Sequence, residues 1–298
     1  MPDSAAAAAT VDLRIGDIGI ALAAADPAMT IRVPTASEPF RAAGGVPEAE
    51  LTAAWADLSG PPAGELLFDS ERLWQLYRQG NEYAFRFTSP TFGVHAFKEA
   101  RFNDDFTRGQ VLLHHAYHDR DAAATPLEYP LDELLFTNLL ARGRGVEVHA
   151  LGLRDADGRG YLFLGHSGAG KTTSARLWGQ HEGVLILSDD RIILRLIDGK
   201  VWMYGTPWHG EAELAAACRT ELHRILVLGR GAKNELLPLA PTRVVSELFT
   251  RAFVPFYHGG ALGYTLGFLQ QVADAVPCAE LRFVPDGRVV DFVRRCAV

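Results

Sequence analysis

The sequence predicts an α/β protein in two parts, a smaller β-rich α+β module over residues 1–125 and a mixed-sheet α/β domain over residues 126–298. Short alternating or aromatic runs, broken by Pro, Gly and Asp, fill the first part. Strands alternate with helices in the second. A two-residue hairpin signal at Asp198-Gly199 lies inside that second part and argues against a simple doubly wound, all-parallel sheet.

In chain order, residues 1–10 read as a frayed alanine-rich tail. Alternation and β-branched or aromatic content predict strands at Leu13–Leu22, Tyr83–Thr88, Gly93–Phe97 and Gln110–His118. Leu51–Trp55 and Ser70–Tyr77 read as short helices, and Asp119–Thr125 as a linker. Pro130 then opens a helix with a stripe of Leu131, Leu134, Leu135, Leu139 and Leu140, stopped by Gly143 and Gly145. Val146–Leu153 and Gly160–Leu164 are strands around a turn at Asp155–Gly158, and a helix follows from about Lys171 to Trp178. Val184–Leu187 is a short apolar strand; Ile192–Leu196 and Lys200–Tyr204 form the hairpin; Leu222–Leu228 is a buried strand. Pro241 starts a helix carrying Val244, Val245, Leu248 and Phe249, and a last long helix falls near Leu262–Val272. A strand at Leu281–Val284 precedes the arginine-rich end, Arg288–Arg295, read as a solvated helix face.

Composition narrows the function classes. The 298 residues can bury a sizeable core, and 48% hydrophobic content excludes large-scale disorder. A net charge of −7 argues against a mainly electrostatic grip on nucleic acid or on an anionic membrane. Cys218, Cys278 and Cys296 form no CxxC pair, which argues against a disulfide framework or a thiolate zinc site and for a reducing compartment. The amino terminus lacks the basic start of a secretory signal. The uncharged stretch Val254–Ala273 carries four glycines, Pro255 and two glutamines, so it reads as a loop and a buried helix. A cytoplasmic location is the expectation, with no nucleic-acid or membrane partner.

Gly165-His166-Ser167-Gly168-Ala169-Gly170-Lys171-Thr172 fits G-x-x-x-x-G-K-[ST] at every defined position, between a strand and a helix. Backbone amides over 166–172, with Thr173 beside them, can face phosphate oxygens at the helix start. Lys171 would reach the β and γ phosphates of a nucleotide, and the Thr172 hydroxyl would hold Mg²⁺. Asp189-Asp190 lies seventeen residues beyond Thr172, at the end of an apolar run. Two adjacent acids allow one to serve the metal and the other to take the proton of an incoming hydroxyl. His149, sixteen residues before Gly165, comes beside the loop if its strand pairs with 160–164, and there could tune an aspartate. In the Gly205–Glu211 loop, Trp208 reads as core, Glu211 as a second metal ligand and His209 as facing phosphate or substrate. His114, His115 and His118 read as a polar strand edge in preference to a zinc site. Arg191 either meets phosphate or pairs with a neighbouring acid.

Together Val148-His149, the 165–172 loop and Ser188-Asp189-Asp190 resemble the catalytic domain of HPr kinase/phosphorylase. Tyr204–Glu211 resembles a block of shorter HPr-kinase-like proteins found in peptide-modification clusters. The resemblance implies a P-loop kinase domain akin to phosphoenolpyruvate carboxykinase. It implies ATP and Mg²⁺ as cofactors, and a peptide or protein with a hydroxyl acceptor as partner. Asp190 or Asp189 would be the base, assisted by His149; Lys171 and the loop amides would hold the triphosphate, and Thr172 with an acid of that pair would hold the metal. Those kinases assemble into hexamers, so a homo-oligomer is a further expectation. The alternative is a nucleotide-binding regulatory or scaffold protein of a peptide-maturation complex; the acid pair and His149 exceed what binding alone requires.

Overall fold

The computed structural model describes residues 9–42, 44–71 and 73–296. They form a mixed α/β protein with two sheets, in two compact units that divide between Leu139 and Leu140. Most of the expected amino-terminal tail, residues 1–8, lies outside the described residues, and Thr10 already belongs to a strand.

The first unit is an eight-stranded sheet of β1 (Thr10–Ile15), β2 (Ile18–Ala24), β3 (Ala49–Ala56), β4 (Glu65–Asp69), β5 (Trp74–Gln79), β6 (Glu82–Phe87), β7 (Lys98–Asn103) and β8 (Arg108–His114). Their order is β1-β2-β3-β8-β7-β6-β5-β4, with β2–β3 and β3–β8 parallel and the other pairs antiparallel. Helix α1 (Leu131–Leu140) follows. Several expected elements are different here. Leu13–Leu22 is two strands, because Gly16 and Asp17 both take positive φ (60° and 57°) and turn the chain back. Leu51–Trp55 is strand, not helix: Ala49, Leu51 and Ala53 are buried while Glu50 and Thr52 are exposed, a period of two that overrides the helical preference of alanine. Ser70–Tyr77 is a turn leading into β5, with the Ser70 hydroxyl accepting from the Leu73 and Trp74 amides. Gly93–Phe97 is a turn, and the strand begins only at Lys98. The histidine run is not a polar edge, since β8 lies between β3 and β7 and His114 is buried. The segment Asp119–Thr125 is stitched to the same unit through the Ala124 amide and carbonyl, bonded to Thr30 and Arg32.

The second unit holds β9 (Val146–His149), β10 (Leu151–Arg154), β11 (Gly160–Leu164), β12 (Leu185–Ser188), β13 (Arg191–Ile197), β14 (Lys200–Gly205), β15 (Arg219–Arg230), β16 (Glu235–Pro238) and β17 (Cys278–Phe283). Its helices are α2 (Lys171–Gly179), α3 (Pro241–Phe249), α4 (Ala261–Ala275) and α5 (Arg288–Arg295). The long strand β15 joins two halves. Its first residues pair antiparallel with β14, beyond which lie β13 and β9; its later residues pair parallel with β11 and β17. Val146–Leu153 is therefore not one strand. The chain leaves one half at His149 and enters the other at Leu151, where β10 pairs with β11 and β12. The chain crosses again between β12 and β13, at Asp189-Asp190. Gly152 permits this crossing, since a Cβ there would stand 2.4 Å from Ile192 Cδ1.

Two apolar layers hold the second unit. On one, Leu162, Leu164, Ile225 and Val227 pack with Leu248 of α3 and Leu269 and Val272 of α4. On the other, Tyr161, Phe163 and Leu226 pack with Trp178 of α2 and Val290 and Val293 of α5. The arginine-rich end is thus a docked amphipathic helix: Arg294 lies over Trp178 and pairs with buried Asp155. Among the described residues no helix is long and apolar enough to cross a membrane. Val254–Ala273 is a loop and most of α4, which buries Thr265, Phe268, Leu269 and Val272.

Candidate functional site

Strand β11 delivers Gly165 at its end, and the chain turns through the glycine-rich loop into α2. The helix starts from Gly170 at φ 112°, a conformation that side-chain-bearing residues rarely adopt; a Cβ there would also press on the Phe283 ring at 2.9 Å. Gly168 is likewise left-handed, at φ 77°. No acidic residue occupies the first turn of α2, so its free amides and the positive end of its dipole face the loop unopposed. Half-buried Lys171 donates from Nζ to the Gly165 carbonyl at 3.0 Å, closing the loop on itself. Burial pushes its ammonium below the usual lysine range, with Asp190 pulling the other way.

The crossing points supply the rest. Because β9 and β13 pair with His149 opposite Arg191, His149 Nδ1 comes 2.8 Å from Asp190 Oδ1. Arg191 Nη1 donates to Asp190 Oδ2 and lies 3.0 Å from the same His149 nitrogen. The guanidinium stacks 4.4 Å above the Phe253 ring. Asp190 is thereby held below the usual carboxylate range: burial works to raise it, but the His149 hydrogen bond, Arg191 and Lys171 outweigh burial. The Ser188 hydroxyl accepts the amides of Asp190 and Arg191 at 3.2 and 3.1 Å and fixes this turn.

The two aspartates do different work. Buried Asp189 accepts the Gly210 amide on one oxygen at 2.9 Å and the Ala212 amide on the other at 3.0 Å. It ties down the loop that carries Glu211, which is exposed. Trp208 is buried, and His209 bonds the carbonyl of Gly210. A pocket of about 530 Å³ is lined by His149, Ser167, Gly168, Gly170, Lys171, Thr172, Thr173, Asp189, Asp190, Gly210 and Glu211. Four separate stretches of chain meet there. Gly165 and His166 line a neighbouring pocket, Ala169 is buried beneath the loop, and His166 turns its Nδ1 to the Ser167 carbonyl.

His114, His115 and His118 are elsewhere, in the first unit. His114 bonds the Ser59 hydroxyl through Nε2 at 3.2 Å and accepts the Ala116 amide on Nδ1. Among the described residues no group of three or more His, Cys, Asp or Glu is placed to hold a metal ion. Mg²⁺ asks for less: it binds through one or two protein oxygens together with substrate phosphates and water. Thr172, with Asp189 keeping lone pairs beyond its two amide bonds, fits that demand. Sequence reasoning missed Arg251 and Phe253. They lie about a hundred residues beyond His149, in a loop whose composition carries no chemical signature; only its hydrogen bonds to β9 bring it here.

No protein-family model matches the sequence, and no curated protein does. Among solved structures, the chain is similar to the HPr(Ser) kinase/phosphatase from Coxiella burnetii. Identity is 13%, over 50% of this chain and 94% of that one, with a TM-score of 0.29. That is a weak likeness of fold.

Proposed function

We propose that the protein is a phosphotransferase of the P-loop, HPr-kinase type, moving the γ-phosphate of ATP to a serine-like hydroxyl of a peptide or protein. The observation that carries the reading is the single pocket that joins the strand–glycine loop–helix to the Asp190–His149 pair. A loop that only gripped nucleotide would need no carboxylate oriented by an imidazole at its mouth.

In this reading the amides of 166–172 and the Lys171 ammonium hold the β and γ phosphates. Thr172 and Asp189 would hold Mg²⁺, which supplies neutralisation of the phosphate charge when bound. Asp190 receives the proton of the acceptor hydroxyl as its oxygen attacks the γ-phosphorus; the bond to the β-phosphate oxygen breaks and ADP leaves. His149 orients Asp190, and Arg191 keeps it ionised. Because phosphoryl transfer is catalysed mainly by positioning and electrostatics, an anionic carboxylate that aligns the hydroxyl suffices; a strong base is not required.

The test is transfer from γ-labelled ATP with Mg²⁺ to a library of serine-containing peptides, comparing wild type, Lys171→Ala and Asp190→Asn. Label should reach peptide with the wild type alone, while Asp190→Asn still binds nucleotide. Wild type that binds ATP and moves no label, to peptide or to water, would replace this reading with the regulatory one.

A further inference from the structure

We infer that a second pocket, beside the one for phosphate, takes an acidic side chain of the acceptor peptide and that Arg251 holds it; the inference rests on the kinase reading above. This pocket measures about 510 Å³ and is lined by His149, Gly165–Ser167 and Thr250–Phe253. It shares His149 and Ser167 with the phosphate pocket but not Thr172 or Thr173. It meets the phosphate pocket at His149 and Ser167, beside the Asp190 that His149 bonds, so in the kinase reading an acceptor whose hydroxyl is at Asp190 can extend into it.

Arg251 is set for an anion. Its Nη1 is used locally, donating to the Glu247 carbonyl at 2.6 Å, the Glu247 carboxylate at 2.8 Å and the Thr250 hydroxyl at 3.0 Å. Its Nε makes no hydrogen bond among the described residues. That buried, unpaired Nε is costly to leave so, and a shift that opened it to the pocket would offer a planar carboxylate one edge of the guanidinium. The residue is also held firmly in register with the catalytic pair. The His149 amide donates to the Arg251 carbonyl at 2.7 Å, and the Phe253 amide donates to the Glu147 carbonyl at 2.9 Å, so 251–253 adds itself to the open side of β9. Lys171, Arg191 and Arg251 gather around the loop, set against Asp190, engaged by His149 and Arg191, buried Glu147 beside Arg191, and Glu247, engaged by Arg251. Phe253, covered on one face by Arg191, supplies an apolar wall for the rest of the acceptor.

Serine peptides carrying Asp at one of the six nearest positions, and matched peptides with Asn there, are titrated into the full chain with and without Mg-ADP. The best Asp peptide should bind roughly tenfold or more tightly than its Asn counterpart, as expected for a charge-assisted pair. Arg251→Gln should abolish the preference, Arg251→Lys should keep part of it, and Glu247→Gln, which releases the guanidinium, should strengthen it. Equal binding of Asp and Asn peptides by the wild type would overturn the inference. So would a preference that survives in Arg251→Gln, or a variant that loses ADP affinity while keeping the preference; the latter gives the pocket to the nucleotide. Retained part-preference in Arg251→Lys separates loss of the guanidinium from loss of folding. Binding and transfer are read separately: an Arg251-dependent preference without label transfer sinks the kinase reading and keeps the subsite, and transfer without preference does the reverse.

Discussion

Both units bury ionised groups in their sheets, and they put them to different uses. In the first, Lys98 is 2% exposed, bonded to Glu128 at 2.7 Å and flanked by the Phe87 and Phe97 rings. Arg86 bonds Glu99 and the Leu58 carbonyl, and Glu99 also takes Arg101. These charges are satisfied inside the sheet. In the second unit Lys171, Asp190, Arg191 and Arg251 stand where strands end or change partner, around open pockets. The lesson is that a buried charge by itself marks structure as readily as function; what distinguishes a site is charge gathered at chain crossings with room left beside it.

The sharpest way to break that comparison is Asp190→Asn. Transfer should fall by roughly two to four orders of magnitude, the usual worth of a positioned proton acceptor, with the thermal midpoint nearly unchanged. A large fall in stability instead would place Asp190 with the structural charges of the first unit. Next in size is Glu99→Ala, which takes from buried Arg86 its carboxylate partner and leaves it only the Leu58 and Gly60 carbonyls. It should cost about 3–5 kcal/mol in denaturant unfolding, as for a broken buried pair, and leave the nucleotide affinity proposed for the second unit unchanged. A smaller effect is expected at Asp155, buried against Arg294. Burial raises its carboxyl, but the Arg294 hydrogen bonds and charge win and hold it below its ordinary value. Its stabilisation is therefore present above the unfolded pKa and lost as pH falls through the lower folded one. Asp155→Asn should flatten the acid side of the stability–pH curve, read by thermal melts between about pH 2 and 6. An unchanged acid limb would count against that pair as the one that docks α5.

Legibility followed the range of the forces involved. The glycine loop and the Asp198–Gly199 turn are set by local backbone geometry: Asp198 and Gly199 both take positive φ, at 52° and 77°. So is the amphipathic run that buries Val244 and Leu248 in α3. Leu51–Trp55 misled because alanine's preference for helix is a few tenths of a kcal/mol, and burial between two parallel neighbours outweighs it. His149 was legible as a residue type but not by its route. The expected pairing of its strand with 160–164 is made by Leu151–Arg154; His149 reaches Asp190 through β13 instead.

The sequence by itself determined the strand–glycine loop–helix and set Lys171 at the helix start, because glycine φ angles and spacing within eight residues are local properties. Tertiary structure alone decided which aspartate is free for chemistry. Asp189 and Asp190 are neighbours of one residue type, but the strand crossing turns one toward two backbone amides and the other toward His149, Arg191 and the pocket. It also decided that a loop about a hundred residues away would bring Arg251 and Phe253 to the same place. Those placements depend on hydrogen bonds between strands distant in sequence, and no local pattern encodes a partner that far along the chain.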